Sequence, residues 1–408
     1  MSAGYLSLLR ERQFGSLFAT QVTNVLATSI SGLYLGTVVN AATGSTFLTS
    51  FAMFAPSLAS LLGAASLMSL ADTSSPRALM TALQLLSAIC MAAQALPLPL
   101  WMRFVLLIFS GLLAAISSGL QLGLVVTSVG RDNYAMARSL LNLTNGAMQI
   151  CGFAFAGALI QFVDPPPMFV ALGILMALGA CVVLWGIPAT PRPGVEPGNV
   201  RRSTGFAATQ AVNKWALRHP NVRVLLLALW VPNGIVVGAE SLFIPYAHDN
   251  AGYLLAAGAV GMLFGDLVVG RWMRSDTRRR INLYQRVLLA APYLIFFIEL
   301  PWMLAALLVL LASLGFSASL GLQERLVAHI PQDRIGQVQG LESSGRLAAQ
   351  GIFALAAGGT AELLGAGYTI TLFGALSLLV TASLMSRLAR ANTQQEPGPP
   401  TTRVAQES

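Results

Sequence analysis

Two carboxylates interrupt long apolar stretches of this chain, and their position gives them more chemical scope than any other side chains in it. Asp266 stands in GAVGMLFGDLVVGRW and Glu240 ends the run VPNGIVVGAE. An unpaired charge held in the middle of a bilayer costs at least about 2.5–3.5 kcal/mol, so each carboxylate must be paired, neutralised or used. Burial favours the protonated form of a carboxylate, and a neighbouring guanidinium favours the ionised form. A group carried between such surroundings would load and release a proton, which makes Asp266 and Glu240 candidates for proton coupling. Bland alternatives stay open for both: an ion pair of Asp266 with Arg271 or Arg325, and a solvated rim position for Glu240. Arg346 has Glu342 one turn before it, a favourable helical pair that neutralises both locally.

The neutral polar residues Gln21, Asn24, Gln121, Asn142, Asn145, Gln149 and Asn233 also fall in apolar runs. They could line a cavity, or tie helices together by hydrogen bonds. Other chemistries find little support. No nucleophile, base and orienting acid form a recognisable set, so an enzyme is not expected. The phosphate-cradling pattern G-x-x-x-x-G-K-[ST] is absent, and Lys214 is the chain's single lysine. Cys90, Cys151 and Cys181 lie in apolar runs without a paired motif and the three histidines are scattered, so neither a metal site nor a cofactor is expected.

The elements that must carry these residues follow from composition. Of 408 residues, 55% are hydrophobic and only 10% charged, against roughly 25% charged in ordinary soluble domains. So few charges cannot cover a water-exposed surface. A membrane-spanning helix needs roughly 20 apolar residues, and twelve such stretches can be placed: 14–40, 46–70, 78–96, 102–128, 137–162, 167–188, 222–246, 252–273, 281–299, 302–328, 337–362 and 367–388. The expected fold class is therefore an all-α membrane protein. With both termini on one side, every Lys and Arg except Arg103 falls on that same side. This is the positive-inside pattern of a multi-pass protein of the inner (plasma) membrane with cytoplasmic termini. It absorbs the net charge of +8 as topology-setting loops, and removes a nucleic-acid partner.

The Pro-, Gly- and Arg-rich stretch PATPRPGVEPGNVRRSTG divides the chain. The expected organisation is an N-terminal six-helix bundle over 1–190, a cytoplasmic linker with a short surface helix over 191–220, a C-terminal bundle over 221–390, and a disordered tail over 391–408. The halves look like copies. GLQLGLVVTSVGRD (119–132) is similar to LGLQERLVAHIPQD (320–333), and Gly146 and Gly152 match Gly345 and Gly351. Matches in common order imply two pseudo-symmetric bundles, a transporter architecture.

The order of elements, with LLRERQFGSLFATQVTN entering the first span, SLADTSSPRALM after the second and NLTNGAMQICGFAFAGAL in the fifth, resembles the major facilitator superfamily, nearest its macrolide-efflux and enterobactin exporters. That resemblance implies gating roles for Asp72 and Arg77, and for Arg271 in the corresponding loop of the second half. Thr73 and Pro76 depart from the family pattern there. It also makes Gly146, Gly152 and Gly157 helix-packing glycines of the antiporter type, with Phe153 where the family often has Pro. The function implied is secondary active transport: proton-coupled export of an amphipathic drug or secondary metabolite by alternating access. An uptake permease of the same fold and a non-transporting membrane binding or assembly protein are the rivals. The expected partners are lipid, a small molecule and protons, with the chain acting as a monomer.

Overall fold

The computed structural model describes residues 5–66, 75–188, 206–331 and 334–393. Half of the expected linker (191–205), all but the start of the expected tail and Asp72 fall outside these residues. Every regular element described is helical, the only structure that lets a lipid-embedded open chain satisfy its own backbone. Among the described residues, eight stretches are long and apolar enough to cross a membrane by length and composition, one of them, Pro220–Gly270, running over both α8 and α10.

In chain order the helices are α1 (Tyr5–Arg10), α2 (Arg12–Thr43), α3 (Thr46–Ser66), α4 (Pro76–Ala93), α5 (Leu100–Leu159) and α6 (Pro165–Gly186). There follow α7 (Phe206–Arg218), α8 (Pro220–Glu240), α9 (Phe243–Ala247), α10 (Ala251–Trp272), α11 (Ser275–Ala290), α12 (Trp302–Leu314), α13 (Ala318–Ala328), α14 (Ile335–Leu364) and α15 (Ala366–Thr393). Proline opens α4, α6 and α8, where its missing N–H costs nothing.

The fourth and fifth expected spans form one unbroken helical stretch, α5. The chain nevertheless reverses within it. Gln121 donates to the Leu17 carbonyl, and Asn145 accepts from Gln21, one turn further along α2. A straight helix would hold residues 121 and 145 about 36 Å apart, so the backbone turns back between them and α5 makes two passes. The tenth expected span is instead broken, with a 3-10 turn at Gly315–Ser317 between α12 and α13. The ninth ends in a 3-10 turn over Ala291–Ile295. Twelve passes result, in two bundles of six.

The apolar core shows how the bundles meet. One large cluster draws on both halves, joining Leu33, Tyr34, Val39 and Phe169 to Phe243, Leu254, Tyr293 and Phe373. All of these lie toward the end where α2 turns into α3, here called the far end. At the opposite end, which carries Arg10, Arg12, Arg77, Arg278 and Arg325, the core is split. Phe14, Leu17, Leu124 and Val183 form one cluster in the first bundle; Val222, Leu229, Leu326 and Val338 form another in the second. The bundles are fused at the far end and separately packed at the basic end.

Candidate functional site

Two antiparallel helix pairs make the seam between bundles: α3 with α14, and the second pass of α5 with α10. Glycine sets their approach. A Cβ on Gly157 would fall 2.9 Å from the Gly252 Cα, so the α5 and α10 backbones touch there. A Cβ on Gly146, three turns toward the basic end, would make only ordinary contact with Leu263, at 3.7 Å. Gly152 faces α2 instead, where a Cβ would meet that of Ser29 at 2.6 Å. The three glycines thus serve two interfaces, one between bundles and one within the first.

Between described residues, the hydrogen bonds linking the bundles all lie at the far end. Thr46 Oγ1 donates to the Gly358 carbonyl (2.8 Å), the Ser50 and Ser241 hydroxyls pair at 3.1 Å, and Ser45 Oγ and the Phe47 N–H both donate to Glu362 Oε1, the latter at 3.2 Å.

Asp266 lies below this seal, in the basic half of α10. At about 100° per residue, Gly258, Gly261 and Gly265 share the face packed on α12, while Gly252 and Leu263 face α5. Tyr253, Phe264 and Leu267 form an exposed apolar stripe on the outer arc. Asp266 falls on the inner arc, between the α12 and α5 faces, and its residue is exposed. Among the described residues it makes no hydrogen bond or ion pair. Arg325 has interactions of its own, and the Arg271 side chain lies outside the described residues.

Glu240 is placed differently. It ends α8 inside the second bundle and accepts a hydrogen bond from Tyr293 Oη at 2.9 Å. Tyr293 is fully buried, stacked with Phe243 and tilted against Phe296. This is an enclosed polar pair, not a solvated rim.

The neutral polar residues divide as well. Asn24 and Gln84 exchange amide hydrogen bonds at 2.5 and 3.2 Å, and Gln84 also reaches the Met176 carbonyl, so Asn24 ties α2 to α4 and α6. Gln21 ties α2 to Asn145 at 2.5 Å. Asn233 is buried and donates to Ser319 Oγ at 3.0 Å, joining α8 to α13. Gln149 is half-buried with no hydrogen-bond partner among the described residues, and Thr28 is exposed one turn beyond Asn24. The Asn142 side chain lies outside the described residues. Arg77 is half-buried at the start of α4. With Glu11, Arg12, Gln13 and 184–188 it lines a cavity of about 600 Å³ at the basic end of the first bundle.

Several residues here were not singled out by sequence reasoning. Gln84, Ser319 and Tyr293 are the hidden partners of the polar residues it did name. Arg286 falls inside the span expected over 281–299. It is 3% exposed, with Nε donating to Asn282 Oδ1 (3.2 Å) and Nη2 to the Ala228 carbonyl (2.9 Å).

Comparison with solved structures places this architecture. A POT family transporter in complex with 5-aminolevulinic acid superposes with a TM-score of 0.75 at 11% identity, covering 95% of this chain and 98% of that one. A bacterial homologue of the human lysosomal transporter Spinster, in an inward-facing and unoccupied conformation, gives 0.64 at 14% identity, covering 94% and 96%. The xylose transporter XylE from E. coli in an inward-open conformation gives 0.65 at 16% identity, covering 94% and 96%. At these identities the likeness concerns the fold. A search of curated proteins found no match. The sequence profile of the Major Facilitator Superfamily matches residues 17–323, and with that match spanning both bundles the chain belongs to the Major Facilitator Superfamily, a family of membrane transporters.

Proposed function

We propose that this protein is a proton-coupled exporter of an amphipathic small molecule, working as a monomer by alternating access, with its basic end in the cytoplasm. One observation carries the reading: Asp266, an exposed carboxylate without a partner among the described residues, sits on the inner arc of α10 in its basic half, on the open side of the seal. Rocking the bundles would close the basic end over it and so change its surroundings, as a proton carrier requires. The fused far end and the split basic end support an inward-open state. Apart from Asp266, the candidate cavity groups Gln149 and Thr28 are neutral, which suits a cargo with a large apolar part. Export rests on the resemblance of the first, second and fifth spans to the macrolide-efflux and enterobactin type. The roles of Asp72, Arg77 and Arg271 as gating charges belong to the same reading.

Cells expressing the protein should accumulate less of a lipophilic compound, and an uncoupler should abolish the difference. Asp266→Asn should leave cargo binding intact and stop proton-driven transport. Full transport by a well-expressed Asp266→Asn variant removes Asp266 from the mechanism. Uptake in the same assay would instead favour a permease, a reading supported by the similarity to a structure described as a D-xylose–proton symporter.

A further inference from the structure

The far-end seal contains a contact that the proposed mechanism has not used. α2 ends at Thr43, the chain turns through Gly44 at φ 63°, and α3 starts at Thr46. The first N–H groups of a helix have no partner within it. In α3, Ser45 Oγ accepts from the Leu48 N–H at 3.1 Å, an ordinary cap. The next donor, the Phe47 N–H, is satisfied from the other bundle. Glu362 on α14 accepts it at 3.2 Å and accepts the Ser45 hydroxyl through the same oxygen.

One turn earlier on the same face of α14, the Gly358 carbonyl accepts from Thr46 Oγ1. A Cβ on Gly358 would lie 2.8 Å from the Phe47 Cα, so a side chain there would hold the carboxylate off its target. Among the described residues Glu362 forms no ion pair. The charge of Arg103, also at the far end, is turned to the Gln94 and Leu96 carbonyls of its own bundle. The positive counterpart of Glu362 is therefore the N-terminus of α3 itself, whose unpaired N–H groups carry a partial positive charge.

We infer that Glu362 is a gating residue: its carboxylate caps α3 in trans and latches the far end closed. This rests on the alternating-access reading, because the contact joins two bundles that must part at this end for the outward-open state to form. When they part, the Phe47 N–H loses its charged acceptor and must be hydrated instead. The latch therefore biases the resting protein toward the state seen here. A charge at a helix N-terminus contributes a factor of about two to five in an equilibrium at an exposed site.

The test reads conformation directly and needs neither cargo nor a proton gradient, so it can fail or succeed independently of the export reading. Spin labels are placed at the far end on either side of the other seam, through Phe162→Cys and Asp249→Cys, in a chain whose three native cysteines are replaced. Both positions are exposed and away from Glu362. Glu362→Gln, an isosteric change at an exposed site, should enlarge the long-distance population about two- to fivefold. Phe47→Pro deletes the donating N–H in the first turn of α3 and leaves only the Ser45 hydroxyl on that oxygen, so in that background Glu362→Gln should shift the population less. An unchanged distance distribution in Glu362→Gln overturns the latch. So does a shift that persists in full beside Phe47→Pro, because the carboxylate would then be acting on something else.

Discussion

Proline at position 232 removes a backbone donor from the middle of α8, and a buried arginine on another helix stands where that donor is missed. In an unbroken helix the N–H of residue 232 would bond to the carbonyl of Ala228, and proline has none. Arg286 Nη2 takes its place at 2.9 Å. The prediction is a coupling between the two positions. Arg286→Met alone combines opposing effects: it orphans the Ala228 carbonyl, but it also withdraws a buried cation that has no carboxylate partner among the described residues, whose desolvation is itself costly. The sign of the single variant is therefore not diagnostic. Pro232→Ala restores the backbone donor, so Arg286→Met in that background orphans nothing at Ala228.

A buried unpaired carbonyl costs about 1–3 kcal/mol, while interhelical hydrogen bonds in membranes average about 0.6 and reach about 1.7 kcal/mol. With a charged donor and near-complete burial, the upper part of that range applies. The double-mutant cycle should return about 1–2 kcal/mol, or roughly a 5- to 30-fold difference in unfolding constant. Reversible unfolding of the purified protein in mixed micelles, followed by tryptophan fluorescence, measures it. Effects of the two substitutions that add to within about 0.3 kcal/mol would refute the capping argument, leaving Arg286 with no relation to the proline.

Two further predictions use the seam and the topology. Gly157→Val should lower thermal stability by about 1–3 kcal/mol of overpacking and lengthen the far-end distance, because its Cβ would meet the Gly252 backbone at 2.9 Å; Gly146→Ala, with 3.7 Å available, should do neither, and equal effects would deny the seam its register. A single cysteine at position 201 should be labelled only from the cytoplasmic side, as the arginine distribution requires; labelling from outside would invert the orientation proposed for both ends.

The fold could be read from the sequence because its determinants are one-dimensional: runs of apolar residues of bilayer length, and arginines concentrated toward one side of them. The breaks could not. The stretch VGRDNYAM between the fourth and fifth spans contains no proline, and the backbone stays helical through the reversal. In the tenth span the interruption at Gly315–Ser317 has no proline to announce it, and is stabilised from outside: Gln285 of α11 donates to Ser317 Oγ at 2.9 Å, and Asn282 to the Ala318 carbonyl at 2.8 Å. The candidate site was legible as a set of residue types but not as a geometry. Asn24, Gln149 and Asn233 read alike along the chain, yet of the three only Gln149 has no hydrogen-bond partner among the described residues. The other two are consumed by Gln84 and Ser319, partners 60 and 86 residues away. Glu362 escaped notice because it sits at the end of a span, where an acidic residue reads as ordinary solvation.

The placement of the two in-span carboxylates bears on which of them can couple to a rocking motion. Glu240 and Tyr293 belong to the same bundle, joined across α8 and the end of α11 and packed into the far-end cluster. A rigid rotation of one bundle against the other leaves that pair as it is. To alter it, α8 itself would have to bend, and the part of α8 below Glu240 is held at four successive points. Arg286 binds the Ala228 carbonyl, Trp230 donates to the Glu342 carbonyl of α14, Ser377 of α15 donates to the Pro232 carbonyl, and Asn233 donates to Ser319. Asp266 needs no such bending. It lies beside the seam with α5, on a helix whose contact with the other bundle is tight at Gly252 and loose at Leu263, so relative rotation of the bundles acts on its surroundings directly. Coupling through Asp266 requires only the motion that the two-bundle architecture already provides, whereas coupling through Glu240 requires a second motion that four interhelical hydrogen bonds oppose.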